Sequence, residues 1–335
     1  MEQKAPLGMK GSGKSSVSAG SRIAFAVAPC LLLAVLAALP VFGLGPNTVR
    51  LLFVTFVWIT ASIAWNILGG FGGQVSFGFA VFYGLGAYTS ALSVNRGVNS
   101  ILSLLLAASV AVLASMLVGL PTFRLRGPYF AIATIGVSEA VRVVMTNVSM
   151  TGGASGYRII ETRPFHQVEH FYAALALAVV AVAVSMQVRR SKFGLALIAI
   201  REDEEAASDL GVNPFRTKLL AHALAAALTG AAGGVYAQYA AFIHPQGVFA
   251  FGIGVAILVM PIIGGIGTIW GPVIGGVVYG LIHEELIASF PQLHLLIYGS
   301  LLILIVLFEP GGIVGLLGKS FRGLARRGRL SGSHP

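Results

Sequence analysis

The chain has 335 residues, of which 56% are hydrophobic and 10% are charged, and its formal net charge is +10. A water-soluble domain carries about 25% charged residues, so this composition excludes an ordinary soluble fold. The basic residues lie between apolar segments and at both ends of the chain, not among aromatic residues on a polar face, which argues against nucleic-acid binding and indicates a membrane protein.

The first motif along the chain is a match to a phosphate-binding loop, in residues 7–18, LGMKGSGKSSVS. The spacing G-x-x-x-x-G-K-S, from Gly8 to Ser15, cradles nucleotide phosphates where a buried strand enters the loop and a helix leaves it. Here no strand precedes the loop, and an apolar segment of membrane-spanning length follows it. We therefore interpret residues 1–21 as a disordered basic cytoplasmic tail and not as a nucleotide site.

Apolar segments then follow one another along most of the chain. A span takes roughly 20 apolar residues in a helix, because lipid cannot satisfy exposed backbone groups. The sequence predicts an all-α, polytopic transmembrane bundle of about 8–10 spans over residues 22–309. The predicted spans are 22–44, 50–68, 74–94, 99–120, 128–147, 170–188, 217–242, two within 251–289, and 293–309.

Basic clusters predict the orientation of these spans. They lie before the first span, between the fourth and fifth, after the sixth, and after the last. With about ten spans, all four clusters fall on one side, which the positive-inside rule makes cytoplasmic. Both termini are therefore expected in the cytoplasm, and residues 310–335 are interpreted as a second basic tail.

Two glycine-rich stretches interrupt the apolar segments, one in each half of the chain. Interrupted segments in both halves point to a transport pathway, because free backbone groups are tolerated beside a cavity. Close helix packing through small residues is the alternative, and the sequence favours neither. Gln74, Ser76 and Thr268 offer donors and acceptors to an amino-acid zwitterion, together with helix ends. The candidate pathway residues are Gly72, Gly73, Gln74, Ser76, Gly265, Gly267 and Thr268.

Glu139 and Arg142 lie three residues apart in the fifth predicted span, so they share a helix face and can pair. Charges inside a membrane are costly and pair with one another or line a water-filled cavity. The pair is therefore either a structural ion pair near the outer interface or part of a pathway.

The predicted outward loop, residues 148–169, follows this span. It offers Tyr157, Arg158, Glu161 and Arg163 as contacts for an external binding protein. A solvated connector is the alternative.

The most informative polar stretch is residues 189–217, which holds a run of acidic side chains. Its alanine-rich pattern predicts one helix from Ala196 to Leu210, with Gly211 as the stop and Pro214 just beyond. At 1.5 Å per residue, about ten helical residues give a rod of roughly 15 Å, too short to span a membrane and well sized to fit a groove on a partner protein.

Residues 205–211, EAASDLG, read as E-A-A-x-x-x-G. This string resembles the cytoplasmic coupling motif of permease subunits in binding-protein-dependent ABC importers, although Val212 to Pro214 do not supply the Ile-x-Leu-Pro element that usually ends it. An ordinary solvated loop helix is the alternative. The resemblance assigns coupling to Glu204, Glu205, Ala206, Ala207, Asp209 and Gly211.

Further stretches resemble one branch of these importers, the branched-chain amino acid permeases. They are WNILGGFGGQVSFGFAVFYGLGAYTSAL at 65–92, the block 125–156, GGIGTIWGPVIGG at 264–276 and FEPGGIVGLL at 308–317. The resemblance implies a permease subunit in the bacterial inner membrane that is not itself an enzyme and binds no cofactor. It implies as partners a second homologous permease, two cytoplasmic ATPase subunits that hold ATP and Mg²⁺, and an extracytoplasmic substrate-binding protein.

Rival interpretations are weaker. GGIGTIWG lacks the βαβ unit of a dinucleotide site, and HEELI at 283–287 has Ile287 where a metalloprotease helix needs its second histidine, so no metal site is expected. An ion-coupled secondary transporter would use Glu139, and a membrane-embedded enzyme lacks a catalytic constellation. Urea or a short amide is the alternative substrate.

Overall fold

A computed structural model describes residues 45–125, 127–160, 167–289 and 311–316, with a few isolated positions outside these ranges. The described helices belong to one unit, which begins at Gly45. The predicted first span and most of the last span and of the two basic tails lie outside the described residues. The domain boundaries there stay predictions.

The described residues are almost entirely helical, as the sequence predicts. α1 (Pro46–Asn66) continues into a π-helical turn, Ile67–Phe71. The further helices are α2 (Phe79–Asn95), α3 (Ser100–Thr122), α4 (Pro128–Asn147), α5 (Gln167–Arg190), α6 (Lys192–Glu202), α7 (Glu204–Asp209), α8 (Pro214–Ala240), α9 (Pro245–Val248), α10 (Phe251–Gly264) and α11 (Gly271–Ser289).

Six helical segments among the described residues are long and apolar enough to cross a membrane. They are Pro46–Phe71, Ser100–Thr122, Pro128–Asn147, Gln167–Arg190, Pro214–Ala240 and Pro245–Gly264. This confirms the all-α, polytopic fold. The predicted pair of helices within 251–289 is also confirmed as α10 and α11, whereas the predicted span at 74–94 begins only at Phe79.

The core forms where α2 and α8 pack closely, and glycines make this approach possible. A Cβ at Gly86 would overlap the carbonyl oxygen of Gly230, and a Cβ at Gly233 would overlap that of Tyr83. Small residues at a helix interface allow such backbone approach inside a membrane, where lipid provides no hydrophobic force between helices.

A small antiparallel ribbon closes one end of the bundle. β1 (Tyr157–Arg158) pairs with β2 (Phe242–Ile243). Asn95, at the end of α2, donates from Nδ2 to the carbonyl oxygen of Arg158 and accepts from the Ile160 amide at Oδ1, both at 2.8 Å. The first part of the predicted outward loop is therefore ordered, while Glu161 and Arg163 lie outside the described residues.

Candidate functional site: two helix breaks and an acidic tip

The polar stretch after α5 folds as two helices, and the prediction of one helix over 196–210 is wrong at Asp203. Asp203 adopts an extended conformation, and its Oδ1 accepts hydrogen bonds from the amides of Glu205 and Ala206 at 2.9 and 3.0 Å. Aspartate is a strong helix N-cap, so it ends α6 and starts α7. Residues 203–213 form a turn that we call the acidic tip.

Gly211 ends α7, as the sequence predicts. Its φ of +88° lies in the left-handed region. The Gly211 amide donates to the Ser208 carbonyl oxygen at 2.9 Å, and the Val212 amide donates to that of Ala207 at 3.1 Å. These two bonds form the Schellman arrangement, in which glycine is favoured because it has no Cβ.

The predicted coupling residues divide into anchors and an exposed surface. Ala207 is buried, and Glu204 pairs at 2.6 Å with Lys218 of α8, whose side chain is only 5% exposed. These contacts fix α7 against α8. The remaining residues face outward, and Leu210 at the apex is 85% exposed. The exposed members of the predicted set are Glu205, Ala206, Asp209 and Gly211; Leu210 was not among the predicted residues.

The first glycine-rich interruption is confirmed as residues 72–78, the first break, which follows the π-helical turn. Several of its backbone groups are hydrogen-bonded within the protein, which is what irregular backbone in a membrane protein requires. Trp65 Nε1 donates to the Ser76 carbonyl oxygen at 2.8 Å, and the Phe77 amide donates to Thr134 Oγ1 at 3.1 Å. Ser76 is fully buried, and its Oγ accepts from the Gly78 amide at 3.2 Å, just before α2 begins.

The second interruption is confirmed as residues 265–270, the second break. Thr268 Oγ1 donates to the Gly265 carbonyl oxygen and accepts from the Gly271 amide, both at 2.8 Å, at the start of α11. Thr268 and Ser76 thus serve equivalent helix-start roles in the two breaks. This favours the packing interpretation for the two hydroxyls, while the half-buried Gln74 remains a predicted pathway residue beside exposed Gly73.

The two breaks lie against each other, which the sequence did not predict. Asn66, fully buried at the end of α1, donates from Nδ2 to the Thr268 carbonyl oxygen at 2.8 Å and accepts from the Gly267 amide at 2.9 Å. A Cβ at Gly70 would overlap Asn66 Oδ1 and lie 2.8 Å from the Gly267 nitrogen. Each such hydrogen bond contributes about 0.5–1.5 kcal/mol net.

Two arginines at the ends of α5 and α6 also contact this junction. Arg201 Nη1 donates to the Gly70 carbonyl oxygen at 3.0 Å. Arg189, at the end of α5, donates from Nη1 to the Gly267 carbonyl oxygen and lies over the Phe71 ring at 5.8 Å. In the sequence, these two arginines appeared only among the charges that set membrane topology. Asn66 was overlooked, although its side-chain amide stands in an apolar span one turn before the Gly69–Gly70 pair.

The predicted ion pair of α4 is present. Arg142 Nε donates to Glu139 Oε2 at 2.9 Å, and Nη2 contacts Oε1. The pair faces outward from the described chain, with Glu139 53% and Arg142 28% exposed. A charged pair on the outer face of a membrane-length helix calls for a polar environment or a protein neighbour in place of lipid.

Within the described ranges, no group of three histidine, cysteine, aspartate or glutamate side chains is placed to hold a metal ion. The side chains of residues 283–287, the metalloprotease-like stretch, lie outside the described part of the structure.

Broken helices, a charged polar turn at one end and multiple membrane-length helices define a polytopic membrane transport subunit. Residues 47–306 match the family model described as the permease component of branched-chain amino acid transport systems. The chain belongs to this family, and it is a multi-pass membrane protein of the permease type.

Curated relatives agree with this assignment. The high-affinity branched-chain amino acid transport permease protein LivM of Salmonella typhimurium is 31% identical over 304 residues, which cover 82% of this chain and 71% of the relative. LivM of Escherichia coli K12 is 29% identical over 313 residues, covering 84% and 73%. The permease protein LivH of E. coli K12 is 34% identical over 135 residues, covering 40% and 43%. No solved structure matches this chain significantly.

Proposed function

We propose that this chain is the membrane subunit of an ABC importer that carries branched-chain amino acids or closely related compounds. The substrate class is supported by the similarity to the branched-chain amino acid permeases LivM and LivH. ATP and Mg²⁺ are bound by partner subunits. The chain itself contributes half of the pathway and the contact through which ATP hydrolysis is coupled to transport.

The acidic tip is the observation that carries this proposal. It is a short, doubly capped turn that is anchored by Glu204 and Ala207 and presents an exposed leucine at its apex. Its sequence, EAASDLG at 205–211, is the stretch that resembles the coupling motif of ABC importer permeases. A cytoplasmic ATPase dimer is the partner that we propose for this contact, and on that proposal the acidic tip and both termini face the cytoplasm.

A second, homologous permease and an extracytoplasmic binding protein complete the complex. Similarity to both LivM and LivH supports a pair of related permeases. The exposed Glu139–Arg142 pair supports a position for α4 beside that second permease or the aqueous pathway. The β1–β2 ribbon, at the end of the bundle away from the acidic tip, offers Tyr157 and Arg158 to the binding protein.

Uptake into proteoliposomes tests the proposal. The chain is reconstituted with candidate second-permease, ATPase and binding-protein subunits, and leucine uptake is measured with ATP, without ATP and with a protonophore. We expect uptake that needs ATP and survives the protonophore. An ion-coupled secondary transporter would be favoured if the isolated chain took up leucine without ATPases, or if the protonophore abolished uptake by the complex. Inhibition of leucine uptake by an excess of urea or a short amide would support the alternative substrate class.

A further inference from the structure

The last turns of α6 lie directly against the first break. Leu197 Cδ2 is 3.2 Å from the position of a Cβ on Gly72, and Arg201 Cγ is 2.6 Å from that of a Cβ on Gly73. Gly73 has a φ of +69°, so it is suited to glycine by its conformation as well as by space. Leu197 and Arg201, four residues apart on one face of α6, therefore cover this break.

The Arg201 guanidinium lies where the two breaks meet. Its Nη1 donates to the Gly70 carbonyl oxygen at 3.0 Å and is 2.9 Å from the position of a Cβ on Gly267. Its Nε and Nη2 both donate to Glu202 Oε1, at 3.2 and 2.6 Å. The planar guanidinium is thus held in one orientation by groups on two sides, which a lysine ammonium cannot reproduce.

Asn66 continues this connection into the second half of the chain. Its amide joins the end of α1 to the Thr268 carbonyl oxygen and the Gly267 amide of the second break. A displacement of α6 would therefore act on the first break through Arg201 and on the second through the Gly70–Gly267 contact. Coupling between sites needs such a contiguous set of packed and hydrogen-bonded groups.

We propose that Arg201 is a positioning residue that transmits movement of α6 to both helix breaks. The inference rests on the proposed function, in which a partner ATPase displaces the acidic tip that follows α6. Arg189 supports the second break from α5 through the Gly267 carbonyl oxygen. Transport then depends on a group that lies between the acidic tip and the two breaks.

Two spin-label distances in the full transporter complex test this. Cys30 is replaced by Ser, and one label pair joins Leu210→Cys on the acidic tip to Ile101→Cys at the far end of α3. A second pair joins Ile266→Cys, in the second break, to the same reference. The side chains of all three positions are exposed. The 23-residue α3 is about 35 Å long, which is a suitable scale for pulsed distance measurements.

In the otherwise unmodified complex we expect both distances to change between the nucleotide-free and ATP-bound states. In the Arg201→Gln complex, the distance between the labels at Leu210 and Ile101 should still change, whereas the distance between the labels at Ile266 and Ile101 should not. Uptake per ATP hydrolysed should fall about tenfold, the effect of one charge-assisted hydrogen bond. Arg190→Gln removes the same charge from the adjoining helix end and should leave both changes intact.

The outcomes separate the two proposals. If the Ile266 distance still responds to ATP in Arg201→Gln, the transmitting role of Arg201 is overturned while coupling through the acidic tip stands. If the Leu210 distance does not respond even in the unmodified complex, the coupling assignment itself fails. Should Arg201→Gln not assemble with its ATPases, Arg201→Lys keeps the charge and is expected to lose the Ile266 response as well.

Discussion

Replacing Gly211 at the end of α7 tests the acidic tip most directly. Gly211 has a φ of +88°, and no heavy atom lies within 4 Å of where its Cβ would be. A substitution there meets no steric obstacle, so its cost is the left-handed backbone conformation alone, roughly 1–2 kcal/mol for an L-residue. That cost reduces the population of the native turn by a factor of about 5–30.

We expect Gly211→Val to lower leucine uptake per ATP hydrolysed in proteoliposomes, with assembly of the complex preserved. Gly211→Asn should stay close to the unmodified protein, because asparagine tolerates this conformation. Gly97→Val is the matched control. Gly97 has a φ of +80° and equally open surroundings, but it lies in the turn between α2 and α3, away from the acidic tip. Normal coupling in Gly211→Val, or an equal defect in Gly97→Val, would refute the role of the acidic tip.

Three further variants examine the rest of the structure. Gly86→Ala should destabilise the α2–α8 packing by about 1–3 kcal/mol and lower the Tm in detergent, whereas Gly136→Ala, which has open space around it, should not. Asn95→Ala should weaken stimulation of ATP hydrolysis by the binding protein, with basal hydrolysis unchanged, because it frees the 158–160 backbone. Glu139→Gln should reduce the yield of assembled complex on gel filtration, because Arg142 loses its partner. The double variant Glu139→Gln with Arg142→Gln should recover part of that yield. Equal yields for the unmodified protein, the single variant and the double variant would show that the pair is dispensable.

Local features of the fold were predictable because they depend on neighbouring residues. Glycine content located both breaks, and the i,i+3 spacing placed Glu139 beside Arg142. The stop at Gly211 followed from the left-handed preference of glycine. The helix interruption at Asp203 was missed because the alanine-rich pattern on both sides favours continuation, whereas the aspartate side chain competes for the amides of the next turn.

Contacts between distant segments were not predictable from one sequence. Asn66 and Gly267 are 201 residues apart, and Gly70 and Arg201 are 131 apart. No periodicity or local spacing connects such pairs. The sequence supplied the two interruptions as separate features, and only the fold shows that they form one junction beside the acidic tip.

The physical chemistry of that junction explains why the two breaks should move together. A helix break frees amide and carbonyl groups that lipid cannot satisfy, so each must find a partner within the protein. Here Asn66 satisfies both an amide and a carbonyl of the second break, and Arg201 takes the Gly70 carbonyl of the turn before the first. Displacing either break alone would separate these part-buried groups from their partners, at a cost of up to about 1–3 kcal/mol for each group that water does not reach. Movement of both breaks together would keep these hydrogen bonds, which is the physical reason to expect a joint response of the two breaks under the proposed coupling.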